Sequence, residues 1–397
     1  QSAGSLKLMV SGLGRLNGPC YFSHFGMEFM WREMLPRVMS STPWLPDKEG
    51  FLEQILTIRR PDDWHVHFRD GDILRAVVPY TARQFGRAIV MPNLVPPVNK
   101  VSEIKSYRDR ILSALPEGVT FTPLMTAYLT EDMDIEDVVA GAGDGLITGV
   151  KLYPLGATTN SDSGVKDLKN VTKILERMQE VGLPLLLHGE VTDPEADIFD
   201  REALFIERVL IGLRADFPEL KIVFEHVTTK DAVDYVLSQE SHLGCTVTAH
   251  HLIINRTDIF RGGIRPHLYC LPIAKREEHR QALRIAVTSG DRRFFLGTDT
   301  APHSIQNKET GCGCAGIFSA PTAIELYAHV FDEEGALDQL EAFASLNGPD
   351  FYGLPLNKDT IRLSCEMTEV PESISISEGE FIQVFHPYDT LNWRLLA

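Results

Sequence analysis

A chain of 397 residues with 44% hydrophobic and 23% charged residues has a globular composition, and its length suits two or three average domains or one large α/β barrel. The formal net charge of −17, from 38 basic and 55 acidic residues, argues against nucleic acid as a partner and requires any anionic substrate to be captured by a local positive site. No apolar run approaches the roughly 20 residues that a membrane-spanning helix needs, which argues against an integral membrane protein.

The first 50 residues differ from the rest of the chain. They show no clear periodicity, and no acidic residue precedes Glu28. Such a segment is typical of an organellar leader, but a tag or a disordered extension would explain it as well. We therefore expect the folded domain to span residues 51–397.

The six cysteines do not indicate a disulfide framework in so long a chain, and they favour a reducing compartment. We expect a cytoplasmic protein, with organellar targeting by the first segment left open. Cys312 and Cys314 form a C-x-C motif in a glycine-rich stretch. No second cysteine pair stands at the spacing of a zinc finger, so we predict free thiols there in preference to a zinc site.

From Phe51 onward, short apolar runs alternate with longer amphipathic segments. The runs are continuous, as in strands buried on both faces, and the longer segments carry apolar residues at helical spacing. The predicted strands are ILTIRRPDDWHVHF, RAIVMPN, FTPLMTAYL, GVKLYP, LPLLLHG, KIVFEHV, GCTVTAHH and RFFLGTD. The predicted helices include SEIKSYRDRILSAL, VKDLKNVTKILERMQEVG, REALFIERVLIGLRADF, DAVDYVLSQ and REEHRQALRIAVTSG.

Eight strands alternating with helices predict a parallel sheet, and eight is the number that closes into a (β/α)8 barrel, the TIM-barrel fold of the α/β class. An open doubly wound sheet is the alternative. A glycine-rich phosphate loop after the first strand would favour it, but that strand ends in HVHFRDGD. Residues 373–396 alternate like one or two further strands, which we expect to pack outside the barrel as a short C-terminal extension.

The first predicted strand carries two histidines one residue apart. Because side chains alternate between the faces of a strand, His65, His67 and Arg69 are predicted to share one face. The other face is then predicted to carry Trp64, Val66 and Phe68. An edge strand with a polar face would explain an isolated HxH motif equally well.

Further ionisable residues stand at the carboxyl ends of other predicted strands, and these ends form the active face of such a barrel. One histidine at a strand end is more often a satisfied polar residue than a ligand, and a lysine in an apolar strand is costly to bury. Six such residues from five strands are harder to explain as structural accidents. They are His65, His67, Lys151, His188, His226 and Asp299.

This donor set predicts a metal centre. Four imidazoles and a carboxylate suit zinc or a similar divalent ion, and two ions could share a bridging hydroxide. Lys151 is the exception, because an ammonium group would repel metal ions. Burial and nearby cations lower the pKa of a lysine, and the resulting neutral amine can react with carbon dioxide to form a carbamate, an anion able to bridge two metals.

The set HxH, Lys, His, His and Asp on successive strands resembles the amidohydrolase superfamily. The flanking sequence is similar to the short, single-domain dihydroorotases of pyrimidine biosynthesis over residues 56–355. The matching stretches are RRPDDWHVHFRDGD, RAIVMPNLVPPV, KLYPLGATTNSDSGV, HGEVTD, FEHVTTKDA, GGIRPHLYCLPI, FLGTDTAPH, GCGCAGIFSAPTAIELYA and NGPDFYGLP. The segment before Phe51 and His250 beside His251 depart from that family's pattern.

The resemblance implies an enzyme that reversibly converts N-carbamoyl-L-aspartate to L-dihydroorotate, and it implies a homodimer. It also implies two zinc ions per chain, bridged by carboxylated Lys151 and a hydroxide. The first ion would be held by His65, His67 and Asp299, and the second by His188 and His226. The hydroxide would attack the cyclic amide carbon, with Asp299 as general base and then general acid.

The resemblance further implies a set of substrate contacts. Arg69 and Asn93 would grip the substrate carboxylate, for which arginine offers a planar fork of donors, and they would supply the local positive site that the net charge requires. Other contacts would come from His303 and from backbone groups of Leu271 and Ala315. Thr158 and Thr159 would belong to a mobile loop that closes over the substrate, although an ordinary polar surface turn would explain these threonines alone.

Two other functions stay open. One is another cyclic amide hydrolase, such as a hydantoinase or an allantoinase. Arg69 with Asn93 argues against a hydantoinase, whose substrate carries no carboxylate on the ring. The other is a catalytically inactive barrel that serves as a scaffold, although none of the six predicted ligands is missing.

Overall fold

The structure of the protein is a computed structural model that describes residues 54–388 and 390–396, so the predicted extension at residues 1–50 lies outside them. The strands are β1 Ile55–Arg59, β2 Asp63–Val66, β3 Arg87–Val90, β4 Thr122–Tyr128, β5 Ile147–Leu152, β6 Leu185–Leu187, β7 Ile222–Phe224, β8 Leu243–Val247, β9 Phe294–Leu296, β10 Thr360–Ser364, β11 Thr368–Glu369, β12 Ser373–Ser377, β13 Glu380–Gln383, β14 Thr390–Leu391 and β15 Arg394–Leu395.

The α-helices are α1 Gly71–Gln84, α2 Val101–Ser113, α3 Ile135–Gly143, α4 Thr172–Val181, α5 Arg201–Phe205, α6 Ile211–Asp216, α7 Lys230–Ser238, α8 Ala249–Ile253, α9 Glu277–Thr288, α10 Ile305–Lys308, α11 Ala323–Glu333 and α12 Asn347–Tyr352. A π-helical turn, Ile206–Leu210, joins α5 to α6, so that the predicted helix over this stretch is continuous. Among the described residues, none of these helices is both long enough and apolar enough to cross a bilayer.

Eight strands form one parallel sheet in chain order, from β2 to β9. The sheet closes on itself, because backbone hydrogen bonds join the end of β9 to β2. The amide of Asp299 donates to the carbonyl of His65 at 2.9 Å, and the amide of His67 donates to the carbonyl of Thr300 at 3.0 Å. The predicted (β/α)8 barrel is confirmed.

The barrel interior is packed with apolar side chains from several strands. They are Trp64, Ile89, Met91, Leu186, Val223 and Phe295. The prediction that Trp64 shares a face with Val66 and Phe68 is wrong, because the latter two pack in the outer core. The pairing of β2 with β3 is irregular between Asp63 and Val66, which breaks the simple alternation. Trp64 therefore lies inside the barrel, where its ring stacks on Tyr352 with centroids 4.6 Å apart.

The two ends of the described chain differ from the predicted pattern. The predicted first strand is two strands, since Pro61 lies between β1 and β2 and cannot donate a ladder hydrogen bond. β1 pairs antiparallel with β10, which in turn pairs with β15. Residues 373–396 hold four strands, β12 to β15, so the prediction of one or two is wrong. As predicted, this segment lies outside the barrel, where β12 packs against α1.

The segment after β7 is held by a buried carboxylate on α5. Glu202 accepts hydrogen bonds from the backbone amides and the hydroxyls of Thr228 and Thr229, at 2.6–3.0 Å. The hydroxyl of Thr229 also accepts from the amide of Ala232 and caps α7. These bonds fix the turn that directly follows His226.

Candidate metal centre

Three ligand atoms meet at the mouth of the barrel, between its first and last strands. The Nε2 atoms of His65 and His67 lie 3.2 Å apart, and they lie 3.2 and 3.1 Å from Oδ1 of Asp299. All three side chains are buried. Ligand atoms bound to one zinc ion at about 2.0–2.2 Å stand at roughly this separation from one another.

The proton positions on these histidines favour a cation at the centre of the triangle. Nδ1 of His67 lies 2.8 Å from Oδ1 of Asn93, whose amide nitrogen is directed to the carbonyl of Thr159. Nδ1 of His65 lies 2.9 Å from a carboxylate oxygen of Glu225, although the contact is poorly aligned for a hydrogen bond. Asn93 and Glu225 both accept, and the guanidinium of Arg69, which only donates, lies farther from Nδ1 of His67 at 3.4 Å. We therefore place the proton of each ring on Nδ1 and a lone pair on each Nε2. Two lone pairs and a carboxylate oxygen then converge, which is the donor set of a divalent metal.

The electrostatics of the centre agree with this assignment. Burial lowers the pKa of His65, but Glu225 and Asp299 outweigh burial and raise that pKa to about 9. Burial raises the pKa of Asp299, but His65 and His67 hold that pKa well below its usual range. Without a metal ion, His65 therefore already favours positive charge beside an ionised carboxylate, whereas burial lowers the pKa of His67 to about 4.

Glu225 is a site residue that the sequence analysis missed. Its carboxylate is fully buried and contacts both the Nζ atom of Lys151 and Nδ1 of His65. Burial lowers the pKa of Lys151, and Glu225 offsets part of that decrease. The signal in the sequence is an acid inside the apolar run KIVFEHV, directly before a predicted ligand.

A left-handed backbone conformation directs several of these side chains toward the barrel mouth. His226, Asp299 and Arg69 have φ values of 44°, 46° and 58°, a region that costs a non-glycine residue about 1–2 kcal/mol. In a regular strand, Glu225 and His226 would point to opposite faces. The left-handed turn at His226 instead lets both reach the barrel mouth.

The remaining predicted ligands join the same cluster. The ring centroid of His226 lies 5.0 Å from that of His65 and 4.9 Å from that of His188. Ligand atoms of His65, His226 and Asp299 all lie within 4.8 Å of one another. Nδ1 of His226 is buried and has no hydrogen-bond partner among the residues that the structure describes, and such an atom is costly unless a ligand occupies it. Nε2 of His188 lies 2.9 Å from a carboxylate oxygen of Glu190.

A narrow cavity opens above the cluster. All but two of the predicted site residues line it; the exceptions are Lys151, which lies beneath, and His303. Arg69 donates toward His303 Nε2 at 2.9 Å and toward the carbonyl of Pro302 at 3.3 Å. Among the described residues, Arg69 forms no ion pair, so its guanidinium is available to an anionic ligand.

The predicted loop lies over this cavity. The carbonyl of Thr159 accepts from the side chain of Asn93 at 3.2 Å, and the hydroxyl of Thr159 donates to the carbonyl of Ala315 at 3.3 Å. The side chain of Asn160 donates to the carbonyl of Asn93 at 3.1 Å. Thr158 lines the cavity beside them.

Other candidate sites carry less chemistry. His250, His251 and Cys270 form a second buried group, but both ring nitrogens of His251 are already engaged, with Thr248 and with the carbonyl of Pro272. Cys312 and Cys314 have free thiols. A larger cavity between α4 and the α5–α6 helix opens on the outside of the barrel and contains none of the predicted ligands.

The presence of Glu225 leads to a testable prediction. Glu225→Gln should weaken metal binding by about 10- to 100-fold, because a neutral amide accepts more weakly than a carboxylate from Nδ1 of His65 and makes its Nε2 less basic. Competition with a chelator measures the affinity, and Glu219→Gln, which alters an exposed acid, is the control. Unchanged affinity in Glu225→Gln would mean that the carboxylate has no such role.

Comparisons with known proteins agree with the geometry. The profile of the amidohydrolase family matches residues 62–363. A dihydroorotase of Ruegeria sp. (strain TM1040) is 62% identical over 346 residues, which are 87% of this chain and 100% of that protein. The structure of dihydroorotase from Campylobacter jejuni has a TM-score of 0.80 at 35% identity and covers 88% of this chain and 99% of its own. Dihydroorotase from Saccharomyces cerevisiae, in complex with 5-fluoroorotic acid, has a TM-score of 0.80 at 33% identity, with 86% and 98% covered.

Proposed function

The chain belongs to the amidohydrolase family and, within it, to the dihydroorotases, and we propose that the cluster around His65, His67 and Asp299 is its reaction centre. The chain is a hydrolase of cyclic amide bonds that interconverts N-carbamoyl-L-aspartate and L-dihydroorotate in pyrimidine biosynthesis. The observation that supports this centre best is the convergence of buried lone-pair donors at a cavity that is also lined by Arg69, which has no carboxylate partner among the described residues.

The family implies a metal cofactor, and we assign two zinc ions to this chain. The first would be held by His65, His67 and Asp299, and the second by His188 and His226, with carboxylated Lys151 bridging. Metal ions bound there would supply Lewis acidity, which polarises a carbonyl oxygen and makes a water molecule more acidic. A carbamate on Lys151 would keep one N–H on the Nζ atom. That N–H could donate to the carboxylate of Glu225, which already contacts Nζ.

Asp299 performs the proton transfers. Its low pKa keeps it ionised, so it takes the proton of the water that adds to the amide carbon of the dihydroorotate ring. The C–N bond then breaks, and Asp299 returns the proton to the ring nitrogen that leaves. In the reverse direction the carbamoyl nitrogen attacks the carboxyl carbon, its proton passes to Asp299, and water departs.

Arg69, Asn93 and His303 orient the substrate by its carboxylate. Nε2 of His303 contacts both the guanidinium of Arg69, which only donates, and the carbonyl of Ala315, which only accepts. This nitrogen can therefore form a hydrogen bond with only one of the two at a time. A substrate carboxylate accepts from Arg69 and from His303 together and removes this conflict. The loop at Thr158 and Thr159 then excludes bulk water. By family resemblance we also propose a homodimer.

The substrate assignment is tested by turnover of dihydroorotate against hydantoin on metal-loaded protein. We expect a clear preference for dihydroorotate, since hydantoin offers Arg69 no carboxylate. Preference for hydantoin would overturn the assignment. Failure to turn over either compound after zinc is added, with no metal retained, would instead support the inactive scaffold.

Arg69→Met should raise the KM for dihydroorotate by about 10- to 150-fold, because charged hydrogen bonds contribute about 1.5–3 kcal/mol. Steady-state kinetics measure this change, and dihydrouracil, which lacks the carboxylate, should react equally slowly with both proteins. Arg292→Met, which alters an exposed arginine, is the control. A KM that does not change would remove Arg69 from the carboxylate site.

A further inference from the structure

Lys308 is a buried lysine outside the predicted site. Its side chain is 3% exposed, and among the described residues its ammonium group has no carboxylate partner. Burial lowers its pKa to about 8. Because a buried ammonium without a counter-ion is costly, its hydrogen bonds must compensate for the loss of water.

All three donors of this ammonium group are used on backbone carbonyls. The Nζ atom lies 2.8 Å from the carbonyl oxygen of Tyr269, 2.9 Å from that of Cys314 and 2.7 Å from that of Gly316. These carbonyls belong to the two segments that carry Leu271 and Ala315. The amide of Gly316 also donates to the carbonyl of Tyr269 at 3.0 Å, so that the two segments are tied together around the lysine.

The bonds of Lys308 determine the direction of the Ala315 carbonyl. Cys314 and Gly316 flank Ala315, and both turn their carbonyls toward Lys308. The carbonyl of Ala315, which lies between them, faces the cavity instead. There it lies 3.1 Å from Nε2 of His303 and accepts from the hydroxyl of Thr159 at 3.3 Å.

We propose that Lys308 is a positioning residue for substrate binding, which holds the backbone of Ala315 and Leu271 where His303 and the Thr159 loop can engage the substrate. The proposal rests on the proposed function of the cavity. Lys308 touches no reacting atom, and it acts through the two segments that it joins. An ammonium group matches three carbonyls with three donors, which neither methionine nor the planar guanidinium of arginine reproduces.

Lys308→Met tests the proposal, because methionine has a similar length and no donor. We expect the KM for dihydroorotate to rise about 10-fold or more with kcat within about threefold of the original value. Metal content and thermal unfolding are measured in parallel. Lys105→Met, which alters an exposed lysine, is the control. A lower unfolding temperature with an unchanged KM would show a purely structural role and overturn the proposal.

A double-mutant cycle with Thr159→Val distinguishes action through Ala315 from general damage. If Lys308 acts through the Ala315 carbonyl, the double variant should show a smaller rise in KM than the product of the two single effects. Independent, multiplicative effects would contradict this route. If Lys308→Met does not fold, the same cycle with Lys308→Arg decides by the same criteria. Lack of dihydroorotate turnover by the unaltered protein would defeat the proposed function itself, which is a distinguishable result.

Discussion

Asp299→Asn should lower kcat by at least 10²-fold, and up to about 10⁴-fold, while the protein keeps bound metal. Asparagine retains an oxygen at the position that faces His65 and His67, at 3.2 and 3.1 Å in the present structure. Its amide, however, cannot take up the proton of the attacking water or return one to the leaving nitrogen. Turnover of dihydroorotate, together with metal analysis of the same sample, measures both effects.

Asp359→Asn is the matched control, because Asp359 is exposed and pairs with Arg60 far from the cavity. It should have the activity of the original chain. Full activity of Asp299→Asn at full metal content would require another residue to transfer the proton. Among the described residues Asp299 is the carboxylate that contacts Nε2 of both His65 and His67, which makes that outcome informative.

Lys151→Ala should empty at least one metal position and lower activity by about 10²-fold or more. The alanine removes the atom on which the bridging carbamate would form, and the adjacent Glu225 then loses one of its two partners and keeps His65. A small carboxylic acid, supplied in solution, should occupy the space left by the side chain and restore part of both metal content and activity. Metal analysis with and without the acid measures this rescue.

Lys151→Met provides the comparison. Methionine fills most of the space that alanine leaves open, so the same acid should restore Lys151→Ala but not Lys151→Met. Retention of two metal ions by Lys151→Ala without any added acid would rule out Lys151 as the bridge.

Much of the fold was predictable because each barrel strand is encoded locally. An apolar run such as LPLLLHG is short, uniformly hydrophobic and ends in His188, so both the strand and the ligand position can be read from adjacent residues. The closed order of the strands then brings such ends to one rim without further information. For this reason the residues of the predicted metal set lie together in the structure.

Features that depend on distant partners were not predictable in this way. The irregular pairing that moves Trp64 into the barrel arises between β2 and β3, and within the C-terminal segment β14 and β15 depend on pairing with β11 and β10. Glu225 was missed because regular alternation turns it away from His226, and only the left-handed turn places both in the site. Lys308 lies in the polar stretch QNKET, which is typical of a surface loop, and its burial follows from carbonyls supplied by other segments.

The closure of the barrel between β2 and β9 also has a thermodynamic consequence. The backbone of His65, His67 and Asp299 joins β2 to the end of β9, and the side chains of the same residues supply the ligand atoms. An ion held there would cross-link two points far apart in the chain and reduce the loop-closure entropy that folding must overcome. Metal binding and unfolding are then coupled equilibria. The free energy of unfolding would rise by about 2.7 kcal/mol when the free metal concentration is 100-fold above the dissociation constant.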